Sequence, residues 1–222
     1  MNTKMKQFAL SIVLAFTFTA VQAQSAEFGL RFMPTYSAFD IQSSEGGVIK
    51  GTVTLGYGLG AFIGLNLTDN FGLQGEVIYS SINQKYTELD VEKKITLQYI
   101  NIPLLAVLNT GKSLPVNLSI AAGPQLGISI GSSFDGSVEG DSLILVPVLA
   151  VKKGDLGVAY GAGIDFGLDP ANMIRFGLGF RGVFGLLDIS DDSKSQTTDK
   201  YYVLDRTQIK TYSVYVGLSV LF

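Results

Sequence analysis

TVTLGYGLGAFIGLNL, residues 52–67, decides the fold, because its two faces are so unequal. Every odd position is apolar (Val53, Leu55, Tyr57, Leu59, Ala61, Ile63, Leu65, Leu67), while the even ones read Thr52, Thr54, Gly56, Gly58, Gly60, Phe62, Gly64, Asn66. A period of two is a strand. In a soluble sheet the second face would carry Lys, Glu and Thr towards water. Here it is mostly glycine, which weakens a strand and marks a space too narrow for side chains, such as the lumen of a small closed barrel. The apolar face then points outward, at lipid.

The start of the chain fits that destination. MNTKMKQFALSIVLAFTFTAVQAQ places Lys4 and Lys6 before an apolar run from Phe8 to Val21, followed by Gln22-Ala23. This is the order of a secretory signal peptide, residues 1–23, with cleavage expected after Ala23. The run is short of the roughly 20 residues a spanning helix needs. No other stretch is apolar over that length, so residues 24–222 are expected to cross a membrane as strands or not at all.

Composition narrows the chemistry. There is no cysteine and no histidine, which removes disulfides, thiolate metal sites, Ser-His and Asp-His pairs and His-metal chemistry. Without Lys4 and Lys6, 14 basic residues stand against 19 acidic ones, which argues against a nucleic-acid partner. A mean hydropathy of +0.34 with 26 glycines fits a barrel with an oily exterior.

Alternation continues along the chain in eight segments. The first sets Phe28, Leu30 and Phe32 against Glu27, Gly29, Arg31 and Met33; the third sets Phe71, Leu73, Val77 and Tyr79 against Gln74 and Glu76. The fourth, ITLQYINIPLLAVLNT, is apolar almost throughout, so its register is open, and a bulge is expected near Tyr99 to Pro103. The fifth alternates Val116 through Ile130 against Asn117 through Gly131, and the sixth sets Leu156 through Leu168 against Gly157 through Gly167. The seventh opposes Phe176, Leu178, Phe180 and Phe184 to Arg175, Gly177, Gly179 and Arg181, and the eighth runs from Tyr212 to Phe222. Tyr36, Tyr79, Tyr99 and Tyr212 sit towards segment ends, where an interfacial girdle would place them.

Connection lengths alternate as well. Short turns near Asp69, Gly111 and Asp169 follow the second, fourth and sixth segments, and polar stretches, among them 38–50 and NQKYTELDVEKK (83–94), read as long loops after the odd ones. The expected fold is all-β: an eight-stranded antiparallel up-and-down transmembrane β-barrel with short periplasmic turns and long outer loops. A soluble β-sandwich or lipocalin-like binder is the rival, with the apolar faces turned inward.

INIPLLAVL (100–108), AAGPQLGISI (121–130), DLGVAYGAGIDFGL (155–168) and RFGLGFRGVFGLLDI (175–189) resemble, in this order, the PorT-like outer-membrane β-barrel family of Bacteroidetes. The resemblance implies an eight-stranded barrel in the cell outer membrane, assembled by the barrel-insertion machinery from a C-terminal strand ending in an aromatic, here Phe222. It also implies a link to protein secretion, the role of the family's founding member.

Six charged residues share the glycine-rich faces: Glu27, Arg31, Glu76, Asp165, Arg175 and Arg181. Charges in a narrow lumen need partners, and three acids can pair three arginines as a salt-bridged plug. The other readings are a gated ion path or a polar catalytic pocket. LILVPVLAV (143–151) is an apolar run in the longest expected loop; Leu143, Ile144, Leu145, Val146, Val148 and Leu149 would form either a contact surface for a partner or a strand extension on the rim. The Gly-x-Gly pairs lie inside strands with no helix after them, so they are not phosphate loops. Asp188, Asp191 and Asp192 lack calcium-loop spacing and read as a solvated loop.

The sequence therefore points to a non-enzymatic outer-membrane barrel, without catalytic, cofactor or metal residues, acting as an envelope structural or interaction protein through its extracellular loops. An accessory role in secretion or transport is the alternative. Expected partners are outer-membrane lipid, the barrel-insertion machinery and another envelope or secretion protein.

Overall fold

The computed structural model describes residues 24–38, 41–42, 48–49, 52–88, 91–136, 154–186 and 210–222. They form the strands β1 (Ser25–Ala38), β2 (Ile41–Gln42), β3 (Val48–Ile49), β4 (Thr52–Asn66), β5 (Phe71–Glu88), β6 (Val91–Asn109), β7 (Val116–Gly136), β8 (Gly154–Gly167), β9 (Ile174–Gly185) and β10 (Lys210–Leu221). Eight of them close an antiparallel barrel in the order β1-β10-β9-β8-β7-β6-β5-β4, and β2 pairs with β3 separately. The expected signal peptide (1–23), the apolar run 143–151 and the acidic stretch 188–199 lie outside the described residues.

The register fixes the barrel's width. Pairing followed round the wall runs from Ser25 through Asn66, Gly72, Val107, Ala121, Gly161, Arg181 and Ser213 to Thr35. The path returns to β1 ten positions higher, from 25 to 35. For eight strands, a shear of this size tilts them within the usual range of about 35–45° and leaves an interior just wide enough for side chains.

The faces fall as the opening stretch requires. Leu30, Leu59, Ile63, Ile120 and Leu218 point outward and are each more than half exposed, whereas Glu27, Phe62, Glu76, Arg175 and Arg181 point inward and are buried. Glycine on the inner face makes room for the few large side chains that cross the lumen. A Cβ at Gly163 would overlap the Tyr215 hydroxyl, and one at Gly29 would overlap the Phe62 ring.

Three local expectations need correction. Residues 83–94 are not a loop: β5 pairs with β6 up to Glu88 and Val91, leaving only 89–90 between the strands. Its polar residues mimic a loop because a strand beyond the membrane has no lipid to demand apolar alternation. The stretch 38–50 likewise contains the β2–β3 ladder. The register of β6 turns Leu97, Tyr99, Pro103, Leu105 and Val107 inward, so Tyr99 belongs to the interior and to no girdle. The bulge expected near Tyr99 to Pro103 is present beside Tyr99, with Ile130 of β7 as the additional residue, and Pro103 pairs regularly with Gln125.

Candidate functional site: the charged lumen

The six lumen charges divide between two layers. The upper layer centres on Glu76 of β5, 3% exposed. Arg31 of β1 donates from Nη1 to Oε1 at 2.6 Å, and Arg181 of β9 donates from Nη2 to Oε1 at 2.9 Å and from Nη1 to Oε2 at 3.3 Å. Gln74, two positions before Glu76 on the same inward face, donates to Oε1 as well. The Arg31 guanidinium also lies over two aromatic faces, 4.1 Å from the Phe62 centroid and 4.6 Å from that of Tyr215. Charge-assisted bonds and ring faces together replace the water these ions gave up.

The lower layer closes the end bearing the short turns. Arg175 of β9 is 0% exposed. Its Nε binds Asp165, while Nη1 donates to the carbonyls of Lys112 at 3.1 Å and Asn172 at 3.2 Å, and Nη2 to that of Leu114 at 3.0 Å. One guanidinium thus ties the β6–β7 turn to the β8–β9 turn. Asn172 holds a left-handed backbone (φ 55°) that asparagine tolerates, and its amide donates to Ser113 O at 3.1 Å. From the third turn, Asp69 accepts the Ser113 amide at 2.8 Å and hydroxyl at 2.9 Å. These bonds, the amide's first, hold the exposed Asp69 carboxyl below the usual aspartate range.

The expected pairing of three acids with three arginines needs correction. Glu76 takes two arginines, Asp165 takes Arg175, and Glu27 takes Lys112, with Nζ 2.8 Å from Oε2. Lys112 Nζ is also 3.6 Å from Asp165 Oδ2, and Ser219 donates to Glu27 Oε1 at 2.7 Å. Lys112 was missed because it lies in a turn, where alternation gives no side-chain direction. Asn117, also missed, is fully buried; it donates to Asp165 and Asn109 and accepts the Gly111 amide. Its only sequence signal is its inward parity on β7.

Met33, Ile78 and Tyr215 form one apolar cluster, and Leu105, Val107 and Ala159 form another with Ala121 and Val183; Tyr215, Val107 and Ala121 also line the space between the two charged layers. Ion pairs and apolar packing together obstruct the lumen, which is the arrangement of a plug.

A transmembrane barrel needs an apolar band outside and paired backbone throughout, and both are present. The family model described as an outer membrane protein beta-barrel domain matches residues 22–191. This chain belongs to that outer-membrane β-barrel family. No curated protein matches the sequence. Among solved structures, this outer-membrane barrel is similar to OprG from Pseudomonas aeruginosa, at 16% identity over 90% of this chain and 97% of that one, with a TM-score of 0.52. It is also similar to AlkL, solved by solid-state NMR in DMPC bilayers, at 11% identity over 90% of each chain, with a TM-score of 0.52. At such identities the likeness speaks for the fold alone. The barrel is an outer-membrane protein, and the rim carrying its short turns faces the periplasm.

Proposed function

We propose that this barrel is a non-enzymatic envelope structural or interaction protein that acts on its outer side. The observation that carries this reading is the unequal height of the wall. β5, β6 and β7 run 18, 19 and 21 residues, where about 9–11 suffice to cross a bilayer. Their upper parts therefore stand outside the membrane as a sheet, while the plugged lumen offers no open path. The apolar run Leu143 to Leu149 follows β7 in the chain and is read as the partner contact. Each lumen carboxylate of the two layers is engaged by a cation, which supports a structural role for the cluster. Outer-membrane lipid and the barrel-insertion machinery complete the partner set. We assign recognition by that machinery to Phe222, whose amide and carbonyl both bond Ala26.

Replacing residues 86–93 with an Asn-Gly turn, which joins Lys85 directly to its partner Lys94, tests the reading. Heat-modifiable migration on gels should show a folded barrel at normal levels. The shortened protein should fail to restore the envelope integrity of cells that lack this barrel. Full restoration would contradict the proposal.

A second reading, an accessory role in protein secretion, is favoured by the four ordered stretches that resemble the PorT-like family. It requires that cells without the barrel stop releasing secreted proteins into the medium; unchanged release would remove it.

A further inference from the structure

Between the two charged layers lies a cavity of about 40 Å³, lined by Arg31, Arg181, Lys112 and Asn109 and also by the carboxylates of Glu27 and Asp165. That is more than the 10–15 Å³ needed to hold one small guest. Two donors on its lining residues have no hydrogen-bond partner among the described residues: Arg181 Nε and Asn109 Nδ2. Both side chains are more than nine-tenths buried, at 3% and 8% exposure. The rest of each is committed, Arg181 Nη1 and Nη2 to Glu76 and Asn109 Oδ1 to Asn117. Beside Nε the wall is Gly161, whose Cβ position would overlap the Phe180 carbonyl oxygen and lie 3.3 Å from the nitrogen, so a side chain there would crowd the donor.

The charge count points the same way. Among the described residues four lumen cations, Arg31, Lys112, Arg175 and Arg181, share three carboxylates, Glu27, Glu76 and Asp165. Asp155 lies further up β8, four positions beyond Ala159, and does not line the cavity. The cavity thus holds orphaned donors, no orphaned acceptor and a surplus positive charge. Water would accept from these donors and donate to the lining carboxylates, but it would leave the charge as it is. A monoatomic anion accepts and also neutralises.

We propose that this cavity binds a small halide of the chloride class, seated at Arg181 Nε, with the Asn109 amide as a second donor in the same cavity. The anion stabilises the folded barrel by binding only to it. The site stands independently of what the outer sheet does.

Bromide is the probe. Refolded full-length barrel should unfold at a temperature that rises saturably with bromide, relative to gluconate at equal ionic strength. Crystals grown with bromide should show one anomalous peak within hydrogen-bonding distance of Arg181 Nε. Asn109→Asp supplies the missing negative charge in the cavity and should abolish both signals in a barrel that still folds; should it fail to fold, Arg31→Met, which removes one of the two arginines on Glu76 and leaves every lumen carboxylate a cation, is read in the same way. Equal unfolding temperatures in the two salts, with water at the site, would overturn the proposal. So would a peak without any saturable shift in solution, which means an adventitious ion only, or a shift that persists in the charge-balanced variant.

Discussion

Arg181 on β9 and Glu76 on β5, 105 positions apart in the chain, meet across the lumen with Nη2 2.9 Å from Oε1 and Nη1 3.3 Å from Oε2. Arg31 joins the same carboxylate from β1. Three separate parts of the wall are therefore tied through one buried anion. Removing one member of such a group leaves the others charged and unpaired, which costs about 3–5 kcal/mol, whereas replacing the whole group with apolar residues can be nearly neutral. Glu76→Ala should lower urea stability by that amount, and the triple variant with Arg31→Met and Arg181→Met should recover most of it. A triple variant as unstable as the sum of its parts would mean that the charges do not act as a group.

Tyr215 reaches across the lumen into the space that Gly163 leaves. Gly163→Ala should overpack this contact and destabilise the barrel by about 1–3 kcal/mol. Adding Tyr215→Phe removes the hydroxyl that the new methyl meets, keeps the ring over Arg31, and should restore most of the loss. Denaturant midpoints of the two variants decide it.

Depth decides the cost of charge on the outer face. Ile63→Arg and Ile120→Arg fall towards mid-membrane and should each cost about 2–4 kcal/mol. Leu126 stands ten positions above Val116, where β7 begins, or about 25 Å along the membrane normal at ordinary rise and tilt. That places it at the upper interface, where Leu126→Arg should cost about 1 kcal/mol or less. Equal losses at all three positions, measured by unfolding in lipid, would contradict this placement of the bilayer.

The alternation of β4 and β7 made the wall legible from sequence, because each inward glycine or serine is answered by an outward Leu, Ile or Val. All six expected lumen charges do point inward for the same reason. Their partners were not legible. Parity tells which face a residue occupies, while Glu76 finds Arg181 only through the closure and shear of the whole barrel. Lys112 enters the lumen from a turn, where parity has no meaning. Residues 83–94 misled for the opposite reason: above the membrane a strand is free to be polar on both faces.

Asp69 provides a pH signature outside the membrane. Its folded carboxyl titrates below the 3.8 of an ordinary aspartate, because Ser113 donates to it. Stability from this contact is complete above that value and is lost as pH falls through the folded one. The group is exposed, so the contribution is no more than about 1 kcal/mol. Wild type should be more stable than Asp69→Ala at neutral pH, and the difference should shrink under acid. A difference independent of pH would assign the effect to the turn backbone.

The central claim is that the lumen is a plug. Planar-bilayer recordings of the purified, refolded barrel test it most directly. Two ion-pair layers and the packing of Met33, Ile78 and Tyr215 should leave the bilayer without steady conductance at moderate voltage. Sustained single-channel currents, with an ion selectivity that changes in Arg31→Ala or Arg181→Ala, would show a water-filled path and contradict the account.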